Sequence, residues 1–144
     1  MEELKYIRIN DFVTAKGKTY TINLSYQLFG KALHDAPVVL INHALTGNSN
    51  VIGNHGWWND LIGEHKCIDT NNYTLLAFNI PGNGYDGNAS HLIENYTDFT
   101  ARDIAKLFAQ GLKQLKIEHL FAVIGGSVGG GIAWELAALQ PNLI

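Results

Sequence analysis

Cysteine is nearly missing from this chain. The 144 residues contain one, Cys67, which excludes an intramolecular disulfide framework and a cysteine-rich zinc site. Charge is sparse: 16% of residues are Asp, Glu, Lys or Arg, and the formal net charge of −3 leaves no basic footprint for nucleic acid. No apolar run approaches the roughly 18 residues that a membrane span needs. The opening Met1-Glu2-Glu3-Leu4-Lys5 is too acidic and polar for a secretory signal. These absences lead to an expected cytoplasmic location without nucleic-acid or membrane partners. In that setting the four Asn-x-Ser/Thr sequons, such as Asn72-Tyr73-Thr74, are incidental. His34, His55, His65, His91 and His119 show no metal-pair spacing, so no metal is expected. Linkers, repeats and low-complexity tracts are also lacking, which leaves one domain at most.

Against these gaps stands a hydrophobic content of 47%, ample for a core. Ile7-Arg8-Ile9 and Phe12-Val13 read as a first strand. Tyr20, Ile22, Leu24, Tyr26 and Leu28 alternate with small or polar residues, as in a half-buried strand antiparallel to the first. Val38 to Ile41, Tyr73 to Phe78 and Leu120 to Ile124 are continuous apolar runs, the pattern of strands buried on both faces. Ala101, Ile104, Ala105, Phe108, Leu112 and Leu115 recur at helical spacing behind a Thr100/Asp103 capping box. A second helix is predicted from about Val128 to Leu139, ended by Pro141. Buried strands alternating with helices predict an α/β fold with a mostly parallel sheet and an N-terminal antiparallel pair. The segment from Asn42 to Asn72 is long for a connection, as functional loops are. A short helix is expected in it near Trp57 to Ile62.

Glycine is plentiful, and its placement carries chemistry. Gly125-Gly126-Ser127-Val128-Gly129 follows one buried strand and opens a helix, the arrangement of a nucleophile elbow. A glycine-rich turn with an incidental serine would read alike in isolation. The flanking strand and helix and the further Gly130 favour Ser127 as a nucleophile. The N–H of Val128 then becomes one oxyanion donor, and Asn42-His43-Ala44-Leu45-Thr46-Gly47, after the Val38–Ile41 run, supplies a second. One such donor is worth about 100- to 1000-fold in rate, because it meets charge that appears only in the transition state. His43 invites reading as a base, but its place on the oxyanion loop suits a residue that fixes loop geometry. Gly82-Asn83-Gly84-Tyr85-Asp86-Gly87 matches a dinucleotide fingerprint literally, yet Asn88-Ala89-Ser90-His91 does not open a helix. Trp57 and Trp58, as neighbours, are not both expected in the core: one packs inward and one lines a pocket, with core packing alone as the alternative.

Taken together, His43-Ala44-Leu45-Thr46-Gly47, Gly56-Trp57-Trp58-Asn59-Asp60-Leu61-Ile62-Gly63, Ile68-Asp69-Thr70, Thr100-Ala101-Arg102-Asp103 and Gly125 to Gly130 resemble the homoserine O-acetyltransferase family of α/β-hydrolase-fold enzymes. The resemblance runs from about residue 38 to residue 140. It implies ping-pong transfer of acetyl from acetyl-CoA, a co-substrate rather than a bound cofactor, to the hydroxyl of homoserine, toward methionine. Ser127 would be the nucleophile, and the Leu45 and Val128 amides the oxyanion hole. It implies a homodimer for the complete enzyme. Two stretches depart from the family pattern: Asn79-Ile80-Pro81-Gly82-Asn83-Gly84-Tyr85 replaces a glycine-cysteine-glycine loop, and Val128 replaces a methionine. The family's catalytic aspartate and histidine follow the serine, which here stands close to Ile144. Residues 1–144 are therefore expected to form the N-terminal part of a single α/β-hydrolase domain, inactive alone; the alternatives are a serine esterase or hydrolase of the same fold, with water as acceptor, and a non-catalytic truncated pseudoenzyme or interaction module. The Leu120–Ile124 strand is expected to be left as an apolar edge, making the chain oligomeric or poorly soluble.

Overall fold

The computed structural model describes residues 2–144. Strands β1 (Lys5–Val13) and β2 (Thr19–Gly30) form an antiparallel ribbon, followed by β3 (Val38–Asn42). Two short strands, β4 (Ile62–Gly63) and β5 (Ile68–Asp69), precede β6 (Thr74–Phe78). Helix α1 (Ala101–Gln114), strand β7 (Ala122–Gly125) and helix α2 (Val128–Leu139) complete the order. The main sheet runs β1-β2-β6-β3-β7, and β4 pairs with β5 separately. β1/β2 and β2/β6 are antiparallel, while β3/β6 and β3/β7 are parallel. The expected mostly parallel architecture with an N-terminal antiparallel pair is what the chain adopts.

Strand periodicity explains the continuous apolar runs. Leu40, Leu76 and Phe78 point to the helical face and pack with Leu107, Phe108, Ile132 and Leu136. Their neighbours Val39, Ile41, Leu75 and Ala77 point to the opposite face. Both faces are buried, so no polar position interrupts the run. Each fully buried Leu or Phe contributes about 1.5–3 kcal/mol. Helix α1 begins at the predicted capping box: Asp103 N–H donates to Thr100 Oγ1 at 3.2 Å, and Thr100 N–H donates to the Asp103 carboxylate at 3.0 Å. That carboxylate also accepts the Ala15 N–H at 2.9 Å, tying α1 to the β1–β2 turn.

The second face has no helical cover. Val51, Ile62 and Ile68, with half-buried Trp57 and Trp58, seal it from the long loop. Here the expectation of a helix at Trp57–Ile62 is corrected. The segment is a single turn, in which the N–H groups of Leu61 and Ile62 both donate to the Trp58 carbonyl. It ends because Ile62, fully buried, is drawn into β4 instead of continuing around a helix.

Candidate active site

Ser127 stands between β7 and α2 with φ 55° and ψ −125°. A non-glycine residue in that region is strained by about 1–3 kcal/mol and persists only where its surroundings force it. They do so through close approach. A Cβ on Gly129 would lie 2.3 Å from the Asn42 carbonyl oxygen and 2.6 Å from that of His43. A Cβ on Gly125 would lie 2.2 Å from the Gly129 carbonyl oxygen. Only glycine lets the first turn of α2 press against the end of β3. Ser127 makes no side-chain cap to α2. As the first helical residue, Val128 has an N–H without an intrahelical acceptor, at the positive end of the helix dipole.

The loop after β3 meets this turn directly, as the contact of Gly129 with residues 42 and 43 requires. Gly47 N–H closes a turn onto the Ala44 carbonyl at 2.8 Å, which puts Leu45 at a corner, 69% exposed. His43 is buried. Its Nδ1 lies 2.6 Å from the Ala44 carbonyl oxygen, and its Nε2 accepts the Ile80 N–H at 3.0 Å. Those bonds fix the tautomer with the proton on Nδ1 and leave no lone pair for a serine. Burial holds its pKa below the ordinary histidine value, only partly offset by the bond to Ala44. His43 is thus a neutral brace for the loop, as its position suggested.

Beneath the loop lies a buried polar network with no periodic signal in the sequence. Asn79 Oδ1 accepts the Ser49 N–H at 2.8 Å, and Asn79 Nδ2 donates to Ser25 Oγ and Ser49 Oγ at 2.9 and 2.8 Å. Ser49 Oγ donates to Gln27 Oε1 at 2.7 Å. Asn83 Nδ2 reaches Asn79 Oδ1 at 3.0 Å. Trp57 Nε1 donates to the Asn48 carbonyl at 2.9 Å, and Trp58 approaches Gly126 of the elbow. Both tryptophans therefore pack against the second core while serving the site loops, one on each.

Among the described residues no side-chain hydrogen bond links a histidine to Ser127. A histidine–aspartate pair does exist elsewhere, between His91 Nδ1 and Asp86 Oδ2 at 2.5 Å. Burial alone would raise the Asp86 pKa, but the bonds from His91 and the Asn88 N–H outweigh it and the carboxyl titrates below its usual value. His91 stacks edge-on with Tyr6 of β1. Strand order places β1 four steps from β7, about 19 Å at the usual spacing. The pair stabilises its own loop, remote from Ser127. That loop holds the literal Gly-x-Gly-x-x-Gly run, which ends in one 3₁₀ turn at Ala89–His91 and opens no α-helix.

The strained serine elbow, the parallel strands before it and the loop after β3 define an enzyme fold. Residues 37–144 match the family model described as the alpha/beta hydrolase fold, and the chain belongs to that family. Within it, a homoserine O-acetyltransferase from Methanococcus vannielii is 35% identical over all of this chain and 33% of its own length. The crystal structure of a homoserine O-acetyltransferase from Bacillus anthracis superposes with a TM-score of 0.85 at 27% identity, covering 99% of this chain and 44% of that one. Esterase E22 gives 0.84 at 26% identity, covering 100% and 46%. The chain thus spans between a third and a half of the length of these relatives.

Proposed function

We propose that Ser127 is the nucleophile of an acyl transfer from acetyl-CoA to the hydroxyl of homoserine, within an enzyme of methionine synthesis. The observation that carries the reading is the serine held at φ 55° at the head of α2, without a capping bond of its own. Ser127 Oγ would add to the thioester carbonyl, and collapse would break the C–S bond and release CoA as the thiol. The homoserine hydroxyl would then add to the acetyl-enzyme, forming its ester and restoring the serine. The N–H groups of Val128 and Leu45 would receive the oxyanion of both tetrahedral states. This pairing is supported by the contact of α2 with the loop after β3. Residues 1–144 would be the N-terminal part of one such domain, working as a homodimer when complete, with no permanently bound cofactor. The activating acid and histidine would come from sequence outside these residues. A serine without a base is barely nucleophilic at neutral pH, so this chain alone should turn over negligibly.

The test is CoA release from acetyl-CoA, with and without homoserine, alongside mass measurement of Ser127 acetylation. Rapid homoserine-dependent turnover by the 144-residue chain would overturn its expected inactivity. A second reading, a serine esterase, draws on the likeness to esterase E22. It predicts acyl-enzyme turnover that ignores homoserine.

A further inference from the structure

The glycine-rich loop after β6 takes no part in the proposed chemistry, yet it is tied down at both ends. Gly82 and Gly84 have φ of 76° and 73°, and there the chain turns back against Ile93 and Leu92. Asp86 fastens the far end. Its Oδ1 accepts the Asn88 N–H at 3.1 Å, and its Oδ2 faces His91 Nδ1 at 2.5 Å and the Tyr6 hydroxyl at 3.4 Å. One largely buried carboxylate thus closes the loop on itself and joins it to β1. Hydrogen bonds to an ionised group are roughly twice as strong as neutral ones. The near end grips the loop after β3. Ile80 N–H donates to His43 Nε2 at 3.0 Å, and Asn83 Nδ2 reaches both the Gly47 carbonyl at 3.4 Å and Asn79 Oδ1 at 3.0 Å. Asn83 Oδ1 accepts the Tyr85 N–H at 3.1 Å, so the side chain that meets Gly47 also sets the backbone leading into Asp86.

We propose that Asp86 is a positioning residue for the loop after β3, holding the turn that presents Leu45 through the strap of residues 80–86. Asp86 fixes the strap against β1, Asn83 carries it to Gly47, and the Gly47 N–H closes onto Ala44 to set the corner at Leu45. Released at Asp86, the strap would be free to swing about Gly82 and Gly84, whose backbones are the least restricted in it. Its grip on His43 and Gly47 would loosen with it. The catalytic meaning of this brace rests on Leu45 as an oxyanion donor, whereas the mechanical coupling of Asp86 to the loop does not.

Amide exchange and NMR of the 144-residue chain test it. In Asp86→Ala the Gly47 and Ile80 amides should exchange about tenfold faster than in the wild type, while α1 keeps its protection. The Ile80 amide proton and His43 Nε2 should shift together as their shared bond loosens. A carboxylate serving only its own loop would move resonances of residues 84–92 alone. Asn83→Ala cuts the strap at its inner contact and should reproduce the effect, and adding Asp86→Ala to it should change little more, since both act on one path. His91→Ala, at a partly exposed position, weakens the same clamp and keeps the test open if Asp86→Ala fails to fold. Ser127 acetylation is scored separately, so failure of the acyl-transfer reading leaves the amide result standing. Changes confined to residues 84–92, or fully additive effects of the Asp86 and Asn83 variants, would overturn the proposal.

Discussion

Two loops meet at the candidate site and are held by opposite means. The elbow after β7 is set by backbone against backbone, with Gly125 and Gly129 pressed so closely that a methyl group has no room. The loop after β3 is set by side chains, through His43, Ser49 and Asn79 and the bonds they make. The first device is rigid and intolerant of bulk. The second trades steric demand for polar satisfaction, and a lost partner leaves a buried group unpaired.

Bulk should break the elbow most severely. Gly129→Val puts carbon atoms where the Asn42 and His43 carbonyls stand, and we expect a loss of about 3 kcal/mol or more in urea unfolding. Asn79→Leu keeps volume but strands Ser49 and Ser25. The expected cost is about 2 kcal/mol. Amide exchange should accelerate across residues 43–50 while α1 stays protected, and equal acceleration in α1 would contradict local control of the loop. Ser127→Gly works in the other direction. Relief of the positive φ should stabilise the chain by about 1 kcal/mol, whereas Ser127→Ala, which retains the strain, should not; neither variant can be acetylated at position 127.

The smallest effect is protonic. Because the His43 pKa is lowered in the folded state, the unfolded chain binds its proton first as pH falls. Stability is therefore full above the ordinary histidine range and declines from about pH 6.5 downward. His43→Gln should flatten this slope between about pH 7 and 5, above the range where carboxylates titrate. An unchanged slope would assign the dependence to another histidine.

The same contrast decides what the amino-acid order disclosed. The elbow was legible because its glycines are adjacent to one another and to an apolar run. So were α1, announced by Thr100 and Asp103, and the doubly buried strands. The likeness of the site loops to one acyltransferase family was equally visible in contiguous residues. The network under the loop was not, because the bonds among Ser25, Gln27, Ser49 and Asn79 join positions 22 to 54 residues apart and Ser, Asn and Gln carry no periodicity. The Asp86–His91 pair was missed for a similar reason: in a glycine-rich loop, spacing does not predict contact. β4 and β5, at two residues each, are too short to show an alternation, and Trp57–Ile62 departs from the predicted helix because tertiary burial of Ile62 in β4 overrides local preference.

The tryptophans give the molecule an optical division of labour. Trp57 and Trp58 lie 4.4 Å apart, one bonded to the loop after β3 and the other beside the elbow. Trp134 stands apart on α2, largely exposed. With Trp134→Phe, the remaining indole emission would come from the candidate site alone, and with Trp57 and Trp58 replaced it would report only the exposed face of α2. One chain therefore carries separate fluorescent gauges for the candidate site and for the surface of α2.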